Sequence, residues 1–68
     1  MTVIITHKGG TIEAHKAIDF LFLKKNKRLE MLVEGRKGIG FLAMNLEKED
    51  IESVSIDGQI IYDSRLED

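Results

Sequence analysis

The sequence predicts a small all-β domain, a five- to six-stranded antiparallel meander closing into an SH3-like barrel. Asp57-Gly58 lies between Val54-Ser55-Ile56 and Ile60-Ile61-Tyr62, and Asp-Gly accepts the positive φ angles of the type I′ turn that suits twisted strands. Further turn signals fall at Lys8-Gly9-Gly10, Lys24 to Lys27 and Gly35 to Gly38. They divide the chain into strand-sized or slightly longer intervals. Apolar residues also alternate on both faces. Such a sheet must curl on itself or be covered by a second copy.

Thr2 to His7 is rich in β-branched residues and reads as the first strand. A Gly9-Gly10 turn would set His7 opposite Ile12, Ile5 opposite Ala14 and Ile4 opposite His15, gathering Val3, Ile5, Ile12 and Ala14 on one apolar surface. Strand two then runs to about Leu23, with a bulge expected near Lys16-Ala17, where Lys16 breaks the alternation. A turn at Lys25-Asn26 opposes Phe22 to Leu29, Phe20 to Met31 and Ile18 to Val33, and collects six large side chains on one face.

Strand three is Arg28 to Glu34 and strand four Ile39 to Leu46. Glu47 to Glu52 is charged and β-poor and reads as one helical or 3₁₀ turn. The closing hairpin spans Ser53 to Ser64. The alternative is an α+β fold with a helix at 11–24, capped by Thr11, with Ala14, Ala17, Ile18 and Leu21 at helical spacing. Against it, Phe20 to Leu23 is apolar all round, and the hydrophobics from Ile18 onward match strand three residue for residue.

Sixty-eight residues make one domain, near the lower limit for a self-supporting core. We assign it to 1–64, leaving 65–68 as a frayed tail. There is no cysteine, hence no disulfide or thiolate metal site. No basic-then-apolar leader and no bilayer-length apolar run appears, so a cytoplasmic chain without membrane contact is expected.

Net charge is −2, but residues 1–40 carry eight Lys/Arg and four Asp/Glu, and residues 41–68 carry two and eight. Lys24, Lys25, Lys27 and Arg28, with Arg36 and Lys37, are the candidate nucleic-acid contacts. In a meander the 24–28 turn shares an end with Glu47, Glu49, Asp50 and Glu52, which cancels much of its field. Lys8, Arg36 and Lys37, tempered by Asp57, would occupy the opposite end, ~23 Å away. The aromatics Phe20, Phe22, Phe41 and Tyr62 read mostly as core, leaving no stacking platform.

His7 and His15 fall on opposite faces in the proposed register and so could not share a metal. His15 could approach Thr6 or Glu13, without a third group to orient it as a base. Lys8-Gly9-Gly10-Thr11 is too short for a P-loop, and the acidic run lacks EF-hand spacing. No catalytic residue, cofactor, metal or small-molecule substrate is therefore expected, and the chain is not read as an enzyme.

Met44-Asn45-Leu46 and Val54 to Ile61 resemble the two signature strands of Sm-like RNA-binding barrels. That resemblance implies a base pocket at Asn45 and Gly58. Phe41 stands where that family carries an acidic residue, Asp57-Gly58 replaces its Arg-Gly, and the interval from Gly35-Arg36 to Met44 is shorter than its spacing. The ending Asp50 to Gly58 resembles small β-rich proteins of prophages and mobile elements of Gram-positive bacteria.

The reading is a non-catalytic interaction or assembly module whose partner is itself or another protein. Leu21, Leu23 and Leu32 form its candidate interface, because they lie on the face a single meander buries less readily. The alternatives are a nucleic-acid-binding barrel using the basic turns, or an inhibitor presenting its acidic loop to a host protein.

Overall fold

Residues of positive φ mark every turn between strands: Gly10, Lys27, Gly38, Asp50, and the pair Asp57 and Gly58. In the computed structural model, residues 1–66 are described; Glu67 and Asp68, the end of the expected frayed tail, lie outside the described residues. The strands are β1 (Thr2–His7), β2 (Ile12–Leu23), β3 (Arg28–Gly35), β4 (Gly38–Asn45), β5 (Ile51–Ile56) and β6 (Gln59–Asp63). A 3₁₀ turn, Lys24–Asn26, joins β2 to β3. The helix considered for 11–24 is overturned, since that stretch contains β2.

All pairings are antiparallel, in the order β4-β3-β2-β1-β5-β6. Two expectations fail here. The sheet does not close into an SH3-like barrel, because β4 and β6 remain its two unpaired edges. Nor is the order a plain meander throughout, because β5 pairs with β1 and not with β4. A bulge in the long β2, between Ala17 and Asp19, marks where its partner changes from β1 to β3. Bulges bend and twist a strand, so β2 serves two half-sheets that share one core.

Val3, Ile5, Val54, Ile56 and Tyr62 enter that core from the β1–β2–β5–β6 half. Leu29, Met31 and Met44 enter from the β2–β3–β4 half, with Leu46 and Ile51 at the connection between them. Phe20, Phe22, Val33, Leu42 and Ile61 pack around it. Phe22 meets the Tyr62 ring edge-on, centroids 6.2 Å apart. Each fully buried aliphatic contributes roughly 1.5–3 kcal/mol.

Phe22 opposes Leu29 and Phe20 opposes Met31, as the sequence indicated. Ile18 does not oppose Val33. The bulge falls slightly later than expected, Ala17 takes that place, and Ile18 is left exposed. The β1–β2 register is also one residue from expectation. Ile5 pairs with Glu13, Ile4 with Ala14 and Val3 with His15. The loop has three residues, not two: His7 N donates to Thr11 O, Gly10 N donates to His7 O, and Gly10 takes φ 97°. This is the pattern of a three-residue hairpin with a left-handed closing residue. Ile12 is consequently exposed and does not share the surface of Val3 and Ile5.

The β5–β6 turn has the expected geometry, with Asp57 at φ 50° and Gly58 at φ 85°. Asp57 also ties the hairpin to β1, since its carboxylate accepts from Thr2 N at 2.8 Å and its own N–H donates to Thr2 O.

Candidate functional site

The three leucines named from the sequence share one face, with Leu21 and Leu32 exposed near each other and Leu23 half-buried at the end of β2. Cross-strand pairing sets Leu21 against Glu30, Leu23 against Arg28, and Leu32 between Asp19 and Phe41. All these side chains project from the face of β2–β3–β4 opposite the core. Two further residues belong there, Ile39 and Phe41 on β4. Phe41 is 66% exposed and Ile39 65%, against 52% for Leu21 and 41% for Leu32. The expectation that no exposed aromatic is present is thus corrected at Phe41. Its phase within β4 is the signal: Met44 and Leu42 turn inward, so positions 39, 41 and 43 turn outward.

The patch has an ionic surround. Asp19, Glu30 and Glu34 share its face, and Arg28 Nε donates to Glu30 Oε2 at 2.7 Å. A shallow open depression lies among Leu21, Leu32, Phe41, Asp19 and Glu30. Its lining is mostly apolar with two acidic residues, Asp19 and Glu30, and it is open and not an enclosed pocket.

The charged turns are only partly where the sequence put them. Leu46 N donates to Lys27 O, so the basic turn does lie beside the acidic one. Lys24 and Lys25 are exposed there, whereas Arg28 is bound to Glu30. Lys8 is not at the opposite end, because its N–H donates to Asp50 O. Arg36 and Lys37 occupy the exposed β3–β4 turn.

The acidic set is split. Glu47, Glu49 and Asp50 stand in the turn, while Glu52 lies in β5. Asn45 organises this turn, its Oδ1 accepting from the N–H groups of Glu47 and Lys48 at 3.1 and 3.0 Å. Its side chain is therefore engaged within the chain. Gly58 sits in the β5–β6 turn, on a strand pair that does not border β4.

The observed β1–β2 register assembles a second polar cluster. His7 and His15 share one face of the sheet, with Glu13 between them. The Glu13 carboxylate accepts from His7 Nε2 through Oε2, and from His15 Nε2 through Oε1 at 3.2 Å. All three are half-buried. The hydrogen bond from His7, then that from His15, holds the Glu13 carboxyl below its ordinary value of 4.5, against a small opposing effect of burial. The expected placement of His7 and His15 on opposite faces is overturned. The carboxylate itself stands between the imidazoles, and among the described residues no group of three His, Cys, Asp or Glu is arranged to hold a metal ion.

No helix among the described residues is long and apolar enough to cross a membrane. Comparisons with protein-family models, with curated proteins and with solved structures return no match to this chain.

Proposed function

We propose that this chain is a non-catalytic assembly module that associates with copies of itself through its β2–β3–β4 half. The carrying observation is the group Leu21, Leu32, Ile39 and Phe41, large apolar residues exposed together on one face. Contiguous apolar patches on soluble domains mark interaction surfaces, and large aromatics dominate their energetics. The nucleic-acid reading gains less support: Arg28 is bound to Glu30, and Phe41 is bordered by Asp19, Glu30 and Glu34 instead of by cations. The test is sedimentation over a range of concentrations. Reversible association is expected, with Leu32→Asp giving a folded monomer. A wild-type chain monomeric at all concentrations rejects the proposal.

A further inference from the structure

β4 is an edge strand without the usual guards. Edge strands in native sheets carry charges, prolines or bulges that discourage pairing with another chain. Gly38 to Asn45 contains no charged residue and no proline, and it pairs with β3 through eight successive positions without a shift. The other edge differs: β6 has five residues, an irregular register and the charged Asp63.

The backbone of β4 presents its free groups in a definite pattern. Because Leu46 N donates to Lys27 O, antiparallel alternation assigns the ladder bonds to Met44, Leu42, Gly40 and Gly38. The N–H and C=O groups of Ile39, Phe41, Ala43 and Asn45 then point away from β3. Asn45 confirms the phase, since its N–H is taken by Glu49 Oε2 and its carbonyl by Glu49 N. Ile39, Phe41 and Ala43 remain facing the open edge, and their side chains lie on the exposed apolar face.

We infer that a second copy of this chain adds to this edge, β4 against β4, antiparallel about a two-fold axis through Phe41; the inference rests on the self-association proposed above. In that register Phe41 meets Phe41 of the second copy, and Ile39 meets Ala43. Each of these three residues offers one donor and one acceptor, so about six backbone hydrogen bonds close the seam. A shift toward Asn45 would compete with Glu49 for groups already engaged.

The charged turns argue for a second copy over an unrelated peptide. β4 begins at the Arg36-Lys37 turn and ends at the turn bearing Glu47 and Glu49. Two-fold antiparallel pairing sets Lys37 opposite Asn45 and Arg36 opposite Leu46 of the other copy. Each basic turn thereby comes against the acidic turn of its partner, twice per dimer. Leu32 and Phe41 of both copies become one apolar strip across the seam.

The test uses Ala43→Pro, which removes an outward N–H while sparing the β3 ladder, together with Arg36→Glu and Glu47→Lys. The wild-type chain is expected to dimerise and A43P to sediment as a folded monomer. R36E and E47K should each self-associate roughly tenfold more weakly at low salt. Their equimolar mixture should recover wild-type affinity, because both turn contacts become attractive again in the mixed dimer. Folded A43P that dimerises like wild type overturns the inference. If A43P does not fold, the exchange decides: recovery supports edge pairing, and a mixture no tighter than either variant overturns it. Association lost in L32D but indifferent to A43P and to charge exchange overturns edge pairing while leaving self-association standing. A strictly monomeric wild type rejects both.

Discussion

Leu32 and Phe41 face each other across β3 and β4, on the side of the sheet that no part of the described chain covers. One strand position away, Met31 and Leu42 face each other toward the core. A single pair of strands thus serves two surfaces, one internal and one available for contact.

That division predicts opposite mutational behaviour for two neighbouring leucines. Leu29 is fully buried, so Leu29→Ala should cost about 2–5 kcal/mol in denaturant unfolding. Leu32→Ala, at a 41% exposed site, should change monomer stability by no more than about 0.5 kcal/mol. The two values are measured at concentrations below any association. Equal losses would mean the outer face is covered.

The Glu13 cluster predicts an acid-side dependence. The folded carboxyl lies below its ordinary value of 4.5, so its stabilisation is full above that pH. It is lost as pH falls through the lower folded value. With the side chain over a third exposed, the contribution is screened and amounts to about 1 kcal/mol or less. Glu13→Gln should flatten this part of the stability–pH curve, read from urea midpoints between neutral and acid pH. An unchanged curve would show that the contact with the imidazoles contributes nothing.

The β5–β6 turn predicts a backbone effect. Gly58 holds φ 85° with open space where a Cβ would point, so crowding is not the obstacle; conformation is. Gly58→Val should destabilise by roughly 1–2 kcal/mol. Thermal melts of the two proteins measure it.

Asn45 is predicted to act in folding. Asn45→Ala removes the acceptor for Glu47 N and Lys48 N and should cost about 1 kcal/mol. Asn45→Asp, which keeps the acceptor oxygen, should retain most of that stability. Chemical denaturation of the pair separates this role from one in ligand contact, which would leave both variants as stable as wild type.

Much of the β2–β3 pairing was legible because a one-residue slip would part Phe20 and Phe22 from the face of Leu29 and Met31. The β1–β2 register was not, since a slip by one residue still gathers apolar side chains there: Ile12 and Ala14 compete with the true arrangement. Gly9-Gly10 supports either a two- or a three-residue loop, and hydrogen bonding around Thr11 selects the longer. That one residue hid the His7–Glu13–His15 cluster. The outward placement of Phe41 was not legible for a related reason, since an aromatic residue in an apolar strand shows no preference between two faces that are both apolar.

By itself, the sequence determined the strands and most of their boundaries, because glycines, Asp57 and the breaks in β-branched runs act locally on φ and ψ. Only the tertiary structure decided that β5 returns beside β1, that β4 is left as a bare edge, and which of the two apolar faces of β4 is core. Those outcomes depend on contacts between residues far apart in the chain, and a period of two, equally apolar on both sides, carries no information about them.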